Sequence, residues 1–503
     1  MSAIPKGLTS GEVEAHVSIG GARRSTAATG PIGAALRSAG WLVAAQAVAT
    51  GLQFPVSILI ARHLGAEGYG RWGFALSFVS LLAVFADFGF STLVIRDLAR
   101  DWQGRRPYLG NLLLTKGALG ALLFALVALL QPLLTDDPTV RALIYVMMGQ
   151  VLVFSFAQVL WAVFRVAERT YLETAVRAGQ SLALLGATLL LIRADAGPVP
   201  LAAGFLAATS LGCLAAGGLA ARLAGTVSLR PDVAFCRRLL SEAWPIGLAM
   251  GMTSIYHSLD MVLLGLFGHR QAVGWYAAAY VFVNASALVV AALRGAFLPH
   301  QARLAAGPAA ERSALLGAYG RLSAALSLPV AMGGVLAAGP LLGLLFGEEY
   351  RPATVALQIL SVNAGLMFVS SFFGSQLLAT DRQRRYLLGV GAGAVLNTAL
   401  NLVLIPLYSL EGAAVATVLS EGLVAAWMFW QVRREVGMTL FQMFWPSASA
   451  SALMALCLAP LLVIAPVPAA VTLAAGAYLA AITLLGGLPV QAFRRWARQP
   501  AAA

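Results

Sequence analysis

The sequence is short of charge: Asp, Glu, Lys and Arg make up only 11% of its 503 residues, where soluble globular domains carry about a quarter. With 59% of residues hydrophobic and a mean hydropathy of +0.81, a soluble fold is excluded. Lysine is almost missing, found only at Lys6 and Lys116, so the basic charge is nearly all arginine, which reads as base composition and not as chemistry. Cysteine is scarce as well. Cys213, Cys236 and Cys457 stand far apart, with no C-x-x-C or metal-ligand spacing, and read as small hydrophobes. A Gly-rich phosphate loop, a nucleophile elbow and a metal cluster are all lacking. No catalytic residue, metal or cofactor is therefore assigned.

What the chain has in abundance is long apolar runs. They recur through residues 41–488, many of about 20 residues or more, enough to cross a hydrocarbon core roughly 30 Å thick. Inside a bilayer each segment must satisfy its own backbone, which leaves helices or a closed barrel. The runs are too long and too evenly apolar for barrel strands of about ten alternating residues. The expected fold is an all-α membrane protein of about fourteen transmembrane helices. These are placed near 38–62, 70–94, 108–131, 139–164, 171–193, 198–222, 241–266, 271–298, 314–346, 353–379, 386–408, 412–432, 444–465 and 467–489.

A net charge of +13 would suit nucleic acid, but the cations sit in short links between apolar runs, where they act as topology signals. No nucleic-acid partner follows; the partner is the lipid bilayer. Alternate links hold the excess: the N-terminal tail, Arg96 to Arg106, Arg165 and Arg169, Arg222 to Arg238, Arg303 and Arg312, Arg382 to Arg385, Arg433 and Arg434, and Arg494 to Arg498. The intervening links, with Asp136, Asp137, Asp195, Glu348, Glu349 and Glu411, are acidic or nearly neutral. The arginine-rich links should face the cytoplasm, and both termini with them. Residues 1–35 carry Arg23 and Arg24 but lead into an apolar run that continues to Ile60, longer than a signal core.

Shifting the chain by about 203 residues aligns Ser38, Trp41, Thr50 and Gly65 with Ser241, Trp244, Thr253 and Gly268. Six helices, an even number, separate the copies, so the halves point the same way and are related by an axis along the membrane normal. The organisation expected is a flexible tail (1–35), a six-helix bundle (36–222), a linker (223–240), a second six-helix bundle (241–434), and two added helices with a basic tail (435–503). Duplicated halves of this kind enclose a cavity and rock about it, which argues transport.

Residues 61–70, ARHLGAEGYG, lead through Ala86, Asp87, Phe88 and Gly89 to Ile95, Arg96 and Asp97. This stretch resembles the opening of Wzx-type polysaccharide flippases. Asn397 and Asn401, residues 404–408 (LIPLY), then Glu411, Gly412, Ala413, Ala414, Ala416 and Thr417, look like that family's late-helix signature. The resemblance implies the multidrug/oligosaccharidyl-lipid/polysaccharide exporter superfamily and a polyprenyl-diphosphate-linked oligosaccharide as substrate, flipped to the outer face of a bacterial inner membrane. Surface polysaccharide, such as O-antigen, lipopolysaccharide or exopolysaccharide, would be the product, with a polysaccharide polymerase machinery as a further partner. The resemblance brings no compact site motif, so site residues must come from the chain itself.

An ionisable group at bilayer depth costs about 2.5 to 3.5 kcal/mol, which makes each one a site hypothesis. Lys116 and Arg321 lie roughly 10 to 12 Å inside their helices and are 205 positions apart. Equivalent places in the two halves would set one cation on each side of the lumen. Arg177 and Arg294 lie on the same side, and the four would form a clamp for a diphosphate. Snorkelling of long basic side chains is the plainer alternative.

Thr253, Tyr256, His257 and Asp260 share one helix face, matched in the first helix by Gln46, Thr50, Gln53 and Ser57. Asp260, with His257 one turn away, is a candidate to take up H⁺ or Na⁺; a structural hydrogen bond is the alternative. Asn397 and Asn401, four apart, and Gln150 add lumen polarity or interhelical bonds. Two rival functions stay open: a multidrug or cation antiporter, which would want deep acids, and a polymerase or ligase, which would want a substantial outward loop.

Overall fold

The computed structural model describes residues 31–489, apart from 226, 229, 306 and 436–438; the side chains of Thr50 and Thr253 also lie outside the described residues, as do the tail 1–30 and the basic C-terminal stretch. Among the described residues the structure is helical and without strands. That is what hydrocarbon demands, since a helix satisfies its backbone within one segment.

In chain order the helices are α1 (Pro31–Asp87), α2 (Phe90–Arg100), α3 (Arg105–Leu134), α4 (Pro138–Val166), α5 (Thr170–Arg193), α6 (Pro198–Ala224), α7 (Val233–Leu266), α8 (Arg270–Leu304), α9 (Ala309–Leu345), α10 (Thr354–Ala379), α11 (Gln383–Val432), α12 (Leu440–Ile464) and α13 (Val467–Leu484), with a 3-10 turn at Glu348–Ala353 before α10. Eleven described helical stretches are long and apolar enough to cross a membrane. Two of them are 50 residues long and contain a break. Such a length, about 75 Å at 1.5 Å per residue, is more than twice the hydrocarbon thickness. Each therefore crosses twice, and α7, at 34 residues, also has the length to span. The arrangement is compatible with the fourteen crossings expected.

The breaks fall where the sequence puts its links. In α1 the helix interrupts at Gly65 (φ 66°), and in α11 at Ser409 (φ 49°). The backbone N–H of Ala66, freed by the first break, donates to Glu349 Oε1 at 2.8 Å. One expected helix, near 70–94, is divided: Phe88 and Gly89 both take positive φ, ending α1 at Asp87 and restarting the chain as α2. The expected linker 223–240 is partly helical, because α7 begins at Val233.

The first half packs α1 against α4 and α5, and α6 against α4 and α5; the second packs α10 against α8, α9 and α11, and α7 against α11. Together they form two six-helix bundles related by parallel duplication. The final pair, α12 and α13, pack together and rest on α9. The halves meet mainly where α1 lies against α7 and α8.

The duplication is visible in that contact. A Cβ placed on Gly70 would stand 2.0 Å from the carbonyl oxygen of Arg270, and one placed on Gly274 would stand 1.9 Å from that of Ala66. Gly70 and Gly274 are 204 positions apart, as are Ala66 and Arg270, so the contact is its own mirror under the repeat. Only glycine lets the two backbones approach this closely. The crossing lies on the acidic face of the protein, where a second tie reinforces it. Asp137 caps α4 through the N–H groups of Thr139 and Val140 and accepts from Arg71 of the first half at 3.0 Å and Arg270 of the second at 2.8 Å. Burial alone would raise the Asp137 carboxyl; the Thr139 N–H, Arg71, the Val140 N–H and Arg270 outweigh it and hold it below its ordinary value.

Away from that face, Lys116 is 1% exposed and its Nζ donates to Asp87 Oδ1 at 2.7 Å. The second oxygen of Asp87 accepts from Ser91, and the ammonium lies 5.7 Å from the centre of the Phe90 ring. The charge is thus closed within the first half, at the break between α1 and α2.

Two expectations follow. Gly70→Ala or Gly274→Ala should force α1, beside its break, away from the N-terminal end of α8, an overpacking of about 1–3 kcal/mol, read as a longer distance between spin labels on the two helices. Because the Asp137 carboxyl sits below its ordinary value, the tie should hold unchanged from pH 7 to 5 and be lost only as pH falls through that lowered value, whereas Asp137→Asn should loosen it at every pH. Separately, Lys116→Ala should destabilise the protein by about 3–5 kcal/mol by stranding a buried carboxylate, and Lys116→Leu with Asp87→Leu should recover most of that in thermal unfolding assays.

Candidate functional site

Each half contains a cavity, and both reach into the part of the helices nearest the arginine-rich face. The first, about 360 Å³, lies among α1, α4, α5 and α6. Along α1 its lining runs from Gln46 to Val56, about 15 Å of helix. Gln150, Phe154 and Trp161 face it from α4, Arg177, Gln180 and Ser181 from α5, and Thr209 from α6. The Arg177 guanidinium donates to Gln46 Oε1 at 2.8 Å, lies 3.5 Å from Glu173, and sits 5.2 Å from the centre of the Trp161 ring. Glu173 is in turn gripped by both arms of Arg165, at 2.7 and 2.8 Å.

The second cavity, about 760 Å³, lies among α7, α8, α10 and α11. Arg294 and Arg384 line it together with Tyr256, His257, Ser370, Ser371 and Ser375. Most of its remaining wall is Met, Leu and Val. The single carboxylate in the lining, Glu421, is already engaged: Tyr256 donates to it at 2.7 Å, and Ser370 donates to its other oxygen.

Of the residues singled out from the sequence, Gln46, Gln53, Gln150 and Arg177 line the first cavity, and Arg294, His257 and Tyr256 the second. Neither Lys116 nor Arg321 lines either cavity. Lys116 is consumed by Asp87. The offset of 204 or 205 that relates it to Arg321 carries Asp87 onto Ala291 or Ala292, so the second half has no matching acid. The Nε of Arg321 is buried without a hydrogen-bond partner among the described residues, at the level where α9 meets α12. The picture of two cations facing each other across a lumen is not what the packing delivers.

Asp260 is 1% exposed and accepts from Tyr276 at 2.7 Å and from the Met261 N–H at 2.8 Å, while His257 turns to the cavity and stacks edge-on against Tyr256. The two are not joined as a proton relay. Asn401 donates to Asn397 at 3.0 Å, and both are buried outside the two cavities. Thr50 and Thr253 fall outside the described side chains. Sequence reasoning missed Trp161, Gln180 and Arg384. The first two are single polar or aromatic positions on otherwise ordinary helices, and Arg384 is indistinguishable in sequence from its neighbours among the topology arginines.

Comparison with known proteins gives the arrangement a family. Residues 35–304 match the family model described as polysaccharide biosynthesis protein. Over 166 residues, 33% of this chain, the sequence is 26% identical to the probable low-salt glycan biosynthesis flippase Agl15 of Haloferax volcanii, and the match spans only 35% of that protein's length. Among solved structures, the lipid II flippase MurJ in its inward closed conformation has a TM-score of 0.72 at 11% identity, covering 89% of this chain and 98% of that one. A multidrug resistance MATE family transporter of the MOP superfamily, inward-facing, has a TM-score of 0.62 at 16% identity, covering 78% and 94%. At such identities the solved structures establish the fold alone. The family model spans more than half of the sequence and includes the Wzx-like segment 61–70, and so this multi-pass membrane chain belongs to the polysaccharide biosynthesis protein family.

Proposed function

We propose that this protein is a flippase, not an enzyme, and that it carries polyprenyl-diphosphate-linked oligosaccharide from the cytoplasmic to the outer face of a bacterial cytoplasmic membrane by alternating access. In this reading the arginine-rich face, with both termini, is cytoplasmic, and the cavities receive substrate there. The observation that carries the reading is the charge of the cavity linings: Arg177 in one, Arg294 and Arg384 in the other, against one carboxylate, Glu421, already held by Tyr256 and Ser370. A cation antiporter needs an acid free to meet its cargo. A diphosphate needs what these linings offer, arginine donors in a medium of low dielectric. Asp260, closed on Tyr276 and outside both cavities, has no part in the substrate contact.

The test is to delete the gene and follow labelled lipid-linked oligosaccharide by membrane face, then restore with wild type or with Arg294→Ala/Arg384→Ala. Each lost charge-assisted bond is worth about 1.5–3 kcal/mol, so the double variant should flip at least tenfold more slowly at equal expression. Intact surface glycan in the deletion strain would instead favour the antiporter reading.

A further inference from the structure

The two halves place a cavity at equivalent positions but line it with different chemistry. At the offset of 204 fixed by Gly70 and Gly274, Gln46 of the first half corresponds to Met250 of the second, and each lines its own cavity. The second cavity is walled chiefly by hydrocarbon. The first presents four glutamines, Gln46, Gln53, Gln150 and Gln180, with Trp161, whose ring lies against the Arg177 guanidinium.

Four amides at bilayer depth are costly unless something meets them. Interhelical bonding accounts for part of the set: Gln46 holds Arg177 at 2.8 Å, and Gln180 reaches Thr209 only at 3.4 Å. The Nε1–H of Trp161, 4% exposed, is buried with no hydrogen-bond partner among the described residues. An indole of this kind ordinarily finds an acceptor when buried. The space, at the lower end of the roughly 300–1,000 Å³ of small-molecule sites, admits a short stretch of sugar and not a long chain.

Amide side chains both donate and accept, which matches sugar hydroxyls that do the same. An aromatic ring offers the face on which the apolar side of a sugar packs. Resting on the flippase reading, we propose that the first-half cavity is a saccharide subsite: it holds the sugar next to the diphosphate, with Gln150, Gln180 and Trp161 as its contacts and Arg177, fixed by Gln46 and Glu173, at the phosphate end. The duplication then divides the labour: the first half reads the glycan and, through Arg177, the phosphate beside it, while the second lines its cavity with Arg294, Arg384 and hydrocarbon without amides.

The experiment compares two probes on the purified full-length protein in lipid nanodiscs: farnesyl diphosphate, and farnesyl-diphosphate-linked mono- and disaccharides of neutral hexose and N-acetylhexosamine. Affinities are read by calorimetry. Wild type should bind at least one sugar-bearing probe about tenfold more tightly than farnesyl diphosphate. Gln150→Leu/Gln180→Leu should erase that difference while leaving farnesyl diphosphate binding unchanged, and Trp161→Phe, which keeps a smaller aromatic ring and removes the N–H, should reduce it severalfold; both must elute as wild type does. Equal binding of bare and sugar-bearing probes by wild type, or a variant that weakens both alike, overturns the subsite. Binding of neither probe overturns the flippase reading and the subsite with it.

Discussion

A polar group in hydrocarbon has no water to turn to, so its partner must come from the protein or from whatever the protein carries. The helices meet this for the backbone, and the packing meets it for most buried side chains. Lys116 closes on Asp87, Asp260 on Tyr276, Glu421 on Tyr256 and Ser370, and Asn401 on Asn397. These pairs tie helix to helix or turn to turn and leave little to offer a ligand. Facing the two cavities are arginines, four glutamines, His257 and several hydroxyl groups, with Glu421 as the single acid. The function follows from this sorting more than from any one residue.

The same constraint explains how the two halves came to differ. The second half lacks an equivalent of Asp87, and the Nε of its Arg321 has no hydrogen-bond partner among the described residues. The appended helices α12 and α13 rest on α9 of the second bundle alone. The first bundle keeps its charge internal and gives its cavity to amides; the second opens wider and lines its cavity with methionine, leucine and valine around two arginines.

Much of this was legible in the sequence, and the parts that were not share a cause. Apolar length located the crossings, and the link residues Gly65 and Ser409 fall where the chain does break. The repeat offset came within a residue of the one set by Gly70 and Gly274. Depth also marked Lys116 and Arg321 as unusual, but depth along a helix says nothing about the direction a side chain points. The partner of Lys116 lies 29 positions earlier, at the end of a helix turned by two positive-φ residues, Phe88 and Gly89, and nothing in a linear pattern reports that turn. Trp161 and Gln180 become neighbours of Gln46 only once α1, α4 and α5 have packed.

The crossing of α1 and α8 has a history written into it. In an assembly of two half-length chains, a single glycine would meet its own symmetry mate across the axis, and one substitution would strike the contact twice. In one chain the two positions are independent, and Gln46 and Met250 at equivalent places differ. Gly70 and Gly274 are alike, and each presses on the backbone of the other's helix, where no side chain can yield to make room. Geometry thus demands the same residue at both equivalent positions, while the cavities on either side of them are free to differ in their linings.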